Sequence, residues 1–202
     1  MNYSVLIAAA LGYLLGALPF GWLVARANGV NIFEVGSKSP GATNVKRSVG
    51  KHAGNLVFLL DALKGAAAAY LPIILWSNGS DVLNLRLMAI VFAILGHSFS
   101  CFTRFKGGKG VATGAGGFFV LMPLMAALAL LSWVILFYTT RYVSVASIGA
   151  AIVLPLAAYF SHQQTALILM CVASALFIIV RHRANIVRLV NGTENRWDAK
   201  KK

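Results

Sequence analysis

An all-α, polytopic membrane fold with about seven transmembrane helices is predicted by three observations. Apolar runs of spanning length recur along the 202 residues. Charged residues make up only 11% of the chain against 59% hydrophobic, and mean hydropathy is +0.78. Lys and Arg fall in alternate connections. A soluble domain carries about 25% charged residues, so this chain could not cover a water-facing surface.

Crossing the hydrocarbon core takes ~20 apolar residues, with ~17 still sufficient. Residues 3–24 qualify, with Pro19 predicting a kink near the end. No basic n-region precedes this run, so it is expected to remain as a span rather than be cleaved as a signal peptide. Residues 53–76 qualify despite Asp61 and Lys64, and 85–102 make a third run ending around His97. The run 111–138 is long for one crossing and holds Pro123, which removes a backbone donor and predicts two shorter helices. Residues 143–160 and 165–180 complete the set.

Charge sets the expected orientation. Residues 25–52 hold Arg26, Lys38, Lys46, Arg47 and Lys51; residues 103–110 hold three cations; Arg141 follows; and 181–202 hold seven. The connections 77–84, 121–124 and 161–164 hold none. Alternation works if the Pro123 segment crosses twice, with the N-terminus outside and the C-terminus cytoplasmic. Lys64 and Arg86 are the exceptions. The net charge of +13 would suggest nucleic acid in a soluble chain. Here cationic loops beside an anionic leaflet account for it, so membrane lipids and no nucleic acid are the expected partners. Residues 1–202 are expected to form a single domain. Cys101 and Cys171 lack metal-like spacing and are expected to be buried, reduced and structural.

Three polar segments carry the chemistry. In Phe105-Lys106-Gly107-Gly108-Lys109-Gly110-Val111-Ala112-Thr113, glycines admit an anion to the backbone and lysines neutralise it, which predicts a phosphate cradle opening a helix. Gly110 stands where a Walker A loop places its magnesium-holding hydroxyl, so neither ATP, metal nor other cofactor is expected. A snorkelling helix end is the bland alternative. In Gly36-Ser37-Lys38-Ser39-Pro40-Gly41-Ala42-Thr43-Asn44-Val45-Lys46-Arg47, the small residues, Thr43 and Asn44 offer donors and Arg47 a fork suited to phosphate. A merely basic, turn-rich loop reads equally well. In Arg181–Arg188, the spacing puts His182, Asn185 and Arg188 on one face. Asp61 and Lys64, three apart, form an expected intramembrane pair with a supporting role. Ser144 is expected to cap the helix at 143, with Ser147 one turn deeper. An organophosphate transporter is the rival class, but no internal repeat is visible and the polar motifs cluster at one face.

Gly41-Ala42-Thr43-Asn44 with Arg47, Asp61 with Lys64-Gly65, Gly96-His97 leading into the Lys106–Thr113 run, Arg141-Tyr142-Val143-Ser144 with Ser147, and Arg181-His182 with Asn185-Ile186 resemble the bacterial acyl-phosphate:glycerol-3-phosphate acyltransferases (the PlsY family). The resemblance spans nearly the whole chain. It implies an inner-membrane enzyme, active at the cytoplasmic face, that acylates the 1-hydroxyl of glycerol 3-phosphate from acyl phosphate. Lysophosphatidic acid and inorganic phosphate would be the products. By that resemblance Ser37, Arg47, Lys109, Ser147, His182 and Asn185 are catalytic. Gly36, Gly41, Thr43, Asn44, Lys106, Gly107, Gly108, Gly110 and Arg188 are expected to bind substrate or phosphate, and Asp61, Lys64 and His97 to support the site. A monomer is expected. The family reads Gly-Ser-Gly-Asn where this chain has Gly36-Ser37-Lys38-Ser39-Pro40, a departure that bears on the loop's conformation.

Overall fold

The computed structural model describes residues 3–76 and 81–197, so the connection at 77–84 is described only in part and Lys200–Lys202 lie outside the described residues. Helices pack into two compact units, Met1–Leu121 and Met122–Lys202. The first holds α1 (Tyr3–Ala17), α2 (Phe20–Ala27), α3 (Ala42–Ser48), α4 (Lys51–Leu75), α5 (Val82–Ser98), a 3-10 turn at Cys101–Thr103, and α6 (Val111–Leu121). The second holds α7 (Pro123–Thr140), α8 (Val143–Phe160), α9 (Thr165–Arg181) and α10 (Arg183–Val190).

The apolar runs became helices nearly as read. Five described helices, with α1 and α2 taken together, are long and apolar enough to cross a membrane, or six if α9 and α10, bent by 56°, form one span. The difference from about seven lies at α6. Its 11 residues rise only about 16 Å at 1.5 Å each, roughly half the hydrocarbon core. The break expected at Pro123 is present: α6 stops at Leu121 and Pro123 takes the first turn of α7, where its missing N–H is harmless. Pro19 breaks the first run as well, between α1 and α2.

Burial follows the membrane rule. Leu56, Phe58, Leu59 and Leu63 of α4 point outward, while Gly54, Val57, Asp61, Lys64 and Gly65 point in. Lipid tails are as apolar as leucine, so helices associate through close backbone approach at small residues. In the first unit, α1 meets α5 this way: a Cβ on Gly16 would sit 2.0 Å from the Ala93 carbonyl oxygen, and one on Gly96 would sit 2.3 Å from that of Tyr13. Between α4 and α6, Gly65 lies against Thr113 and Gly116 against Ala62.

Arg86, an exception to the charge pattern, donates Nε to the Ala69 carbonyl at 2.9 Å and an Nη to the Val120 carbonyl at 3.0 Å. Val120 sits in the last turn of α6, whose carbonyls lack helical partners. The arginine therefore closes the far end of the half-length helix. In the second unit, the segment after α10 returns to α7: the Trp197 amide donates to the Arg141 carbonyl at 2.8 Å, and its ring meets Phe137 edge-on.

Cys171 is buried as expected, but Cys101 is exposed. It lies in the 3-10 turn beyond the end of α5, where the chain has left the packed helix pair. Neither cysteine is disulfide-bonded.

Replacing Gly16 with Leu should overpack the α1–α5 contact and cost about 1–3 kcal/mol. Thermal unfolding in detergent checks this; an unchanged midpoint would mean the close approach contributes nothing.

Candidate active site

In the first loop, the Asn44 side chain is buried and organises the turn. Its amide donates to the carbonyls of Val35 at 3.1 Å and Ser39 at 2.9 Å, and its oxygen accepts the Ser37 amide at 2.9 Å. Gly36 takes φ +57° and lies so close that a Cβ would stand 2.2 Å from Asn44 Oδ1. Ser37 is exposed at the rim of this turn. Gly41 precedes α3, Thr43 lies in its first turn, and Arg47 is exposed near its end. Lys38 takes φ +55°, the left-handed region that glycine adopts without strain. That accounts for the glycine of the family pattern at this place.

The lysine-glycine loop rests on the end of α5. The Gly108 amide donates to the His97 carbonyl at 3.1 Å. A Cβ on Gly107 would come 2.2 Å from that same oxygen, and one on Gly108 would come 2.1 Å from His97 Nε2. Thr103 Oγ1 donates to the Lys106 carbonyl at 2.7 Å. Gly110, at φ +84°, turns the chain into α6. Lys106 is exposed and Lys109 half-buried.

Beneath this loop the expected Asp61–Lys64 pair forms, 2.8 Å apart, with both side chains 3% exposed. His97 Nδ1 stands 3.5 Å from the same Asp61 oxygen. Lys64 Nζ also donates to the Leu18 carbonyl at 2.8 Å, at the break between α1 and α2. A cavity of about 10 Å³ borders Asp61, Lys64, His97, Lys106 and Gly108, room for about one water.

In the second unit a different constellation forms around Glu194. Its Oε1 accepts from Ser144 Oγ at 2.8 Å and Asn185 Nδ2 at 2.7 Å, and its Oε2 accepts from Arg188 Nε at 2.7 Å. Ser144 thus does not cap α8, which has no side-chain cap; its hydroxyl is drawn to the carboxylate instead. Ser147 is buried and accepts from Trp133 Nε1 at 3.2 Å. His182, buried at the α9–α10 bend, donates Nδ1–H to the Ile178 carbonyl at 2.8 Å. A carbonyl can only accept, so the neutral ring carries its lone pair on Nε2.

Sequence reasoning missed Glu194. The signal was scarcity: with only five acids in the chain, each one outside a terminus was a candidate organiser. Burial works to raise the Glu194 carboxyl, but hydrogen bonds from Asn185, Ser144 and Arg188, with the Arg188 charge, outweigh it and hold the carboxyl below its usual range. Of the six expected catalytic residues, Ser37, Arg47 and Lys109 belong to the first unit and Ser147, His182 and Asn185 to the second.

A family model described as glycerol-3-phosphate acyltransferase matches residues 6–192. The glycerol-3-phosphate acyltransferase of Fusobacterium nucleatum is 42% identical over 188 residues, covering 93% of this chain and 95% of its own. That of Aquifex aeolicus is 41% identical, covering 96% and 100%. Among solved structures, the glycerol 3-phosphate form of PlsY (YgiH), an integral membrane glycerol 3-phosphate acyltransferase, superposes with a TM-score of 0.89 at 39% identity. The match covers 96% of each chain. Its lysophosphatidic acid form gives 0.87.

Two outcomes follow from this geometry. A carboxyl with a lowered folded-state pKa contributes stability that is full above its unfolded value and lost as pH falls through the folded one. Glu194→Gln should therefore lower the thermal midpoint at neutral pH and shrink its fall on acidification below the ordinary carboxylate range. An acid limb identical to wild type would sink the assignment. Lys38→Gly should relieve the left-handed strain and stabilise the protein by about 1 kcal/mol; a lower midpoint would show that the lysine side chain holds the loop.

Proposed function

The chain belongs to the glycerol-3-phosphate acyltransferase family, membrane enzymes of phospholipid synthesis, and we propose that its acyl donor is acyl phosphate. The acceptor is the 1-hydroxyl of glycerol 3-phosphate, and the products are 1-acylglycerol 3-phosphate (lysophosphatidic acid) and inorganic phosphate, the first step of phospholipid synthesis. The observation that carries this reading is the Lys106–Gly110 loop, in which Gly107 and Gly108 press on His97 so closely that no side chain fits and Gly110, at φ +84°, turns the chain into α6. Such a loop suits a phosphate, and both proposed substrates carry one. The related PlsY has a glycerol 3-phosphate form and a lysophosphatidic acid form, which correspond to the proposed acceptor and product.

Acyl phosphate is a mixed anhydride with a good leaving group, so the acceptor oxygen can attack its carbonyl directly. The C–O bond to phosphate breaks, and the hydroxyl proton leaves with the departing phosphate or passes through His182 Nε2. Catalysis then rests on orientation, worth roughly 7–11 kcal/mol for well-held reactants, and on donors preset toward the developing oxyanion. Arg47 and Lys109 bind phosphate, with Lys106 and the glycine amides around them. Ser37, Thr43 and Ser147 position substrate by hydrogen bonding, while His182 and Asn185 orient the acceptor. Asn185 is itself held by Glu194. The protein works as a single, monomeric domain in the bacterial inner membrane, with about seven membrane helices when the half-length α6 is counted among them, its N-terminus outside and its C-terminus and active site on the cytoplasmic side.

Purified protein in micelles, given palmitoyl phosphate and glycerol 3-phosphate, should release lysophosphatidic acid and phosphate, and acyl-CoA should not replace the donor. Equal turnover with acyl-CoA would overturn the donor, and no turnover from folded protein would overturn the reaction. Lys109→Ala should insert normally and lose at least about 100-fold in turnover.

A further inference from the structure

We propose that Asp61, Lys64 and His97 form a positioning network that sets the conformation of the Lys106–Gly110 loop, and hence its affinity for a phosphate-bearing substrate; for its kinetic readout this rests on the acyltransferase reading above.

The network's geometry reaches beyond what an ion pair between helices needs. Asp61 Oδ1 is shared: it meets Lys64 Nζ at 2.8 Å and His97 Nδ1 at 3.5 Å. The opposite nitrogen of the same imidazole lies against the Gly108 α-carbon, where a Cβ would be 2.1 Å away, and the His97 carbonyl accepts the Gly108 amide at 3.1 Å. The loop is thus fitted to a ring whose orientation the buried carboxylate fixes. Nothing larger than glycine fits between loop and ring, so a rotated imidazole would push the loop outward.

The network is anchored on the other side as well. Lys64 holds the Leu18 carbonyl at the α1–α2 break and stands 5.6 Å over the Phe20 ring. One turn on, Gly21 is packed directly on the Pro40 carbonyl, so the first polar loop leans on the same break. Ser100 Oγ donates to the Ala17 carbonyl at 2.5 Å, tying the start of the 3-10 turn to it. Displacing the pair therefore disturbs the phosphate loop directly and the first loop through α2. None of the three residues needs to touch substrate.

A structural ion pair and a positioning network make different predictions once both charges are removed together. Asp61→Asn alone leaves Lys64 buried without its counter-charge and should destabilise the protein. Asp61→Asn with Lys64→Gln removes that penalty and should restore the thermal midpoint. The loop should remain loosened, with KM for glycerol 3-phosphate or acyl phosphate raised roughly 10- to 100-fold, as for a displacement on the order of 1 Å, and kcat changed far less. His97→Asn keeps a donor toward Asp61 but removes the ring edge under Gly108, and should raise the same KM without loss of stability.

Hydrogen–deuterium exchange of the 103–110 peptide, in micelles without substrate, should rise in both variants. Wild-type KM together with wild-type exchange in either stable variant would overturn the proposal, and His97→Asn decides it alone if the double variant does not insert. A wild-type protein without acyltransferase turnover would sink the functional reading, while the exchange comparison would still decide the loop.

Discussion

The buried Asp61–Lys64 pair is the interaction on which the first unit depends. Two opposite charges in a membrane-spanning helix are tolerated only where they meet each other and further polar groups. Here the further groups are a carbonyl freed at a helix break and an imidazole at the end of the neighbouring helix. Lys64 thus pins a carbonyl of irregular backbone that lipid could not solvate, and Asp61 faces the imidazole on which the glycine loop rests. Irregular backbone at membrane depth survives only where protein satisfies it. The pair supplies that satisfaction where the chain must break to form its polar loops.

The same logic explains α6. A helix that starts at the glycine loop and runs only 11 residues leaves orphan amides at one end and orphan carbonyls at the other. At the far end Arg86 covers the Val120 carbonyl. At the near end the loop delivers Lys109 and Gly110 to the amides, where the positive pole of the helix favours an anion. Both exceptions to the charge pattern, Lys64 and Arg86, are therefore cations held against backbone carbonyls within the first unit. They fall outside the orientation rule because they serve the interior.

Much of this was legible in the sequence. Apolar run length gave the helices, Pro19 and Pro123 gave two breaks, and three-residue spacing gave the Asp61–Lys64 contact. What the sequence hid were contacts between distant segments. Nothing in the spacing of His97 and Gly108 reveals that an imidazole lies under a glycine, and nothing near Ser144 reveals a carboxylate fifty residues away in the chain. Ser144 looked like a cap because its local position allows one; a charged acceptor is a stronger partner for a hydroxyl than a helix amide. Cys101 looked buried because its run is apolar, yet it falls just past the helix that buries its neighbours. Local pattern fixes elements, while partners are chosen by the fold.

The two buried acids also sort the cations. Asp61 meets Lys64, and Glu194 meets Arg188, each within hydrogen-bond distance. Arg188 shares a helix face with Asn185, and sequence reasoning had placed it among the phosphate binders. In the structure its Nε joins a carboxylate clamp whose other donors are Ser144 and Asn185. Asn185 therefore has a side chain oriented from behind, with one hydrogen of its amide nitrogen donated to Glu194. A polar group locked by a buried, charge-assisted network costs less to keep in one pose when substrate arrives. In each unit a single carboxylate thus holds polar side chains of the candidate site in place. A chain with so few acids has placed two of them where they shape its basic groups.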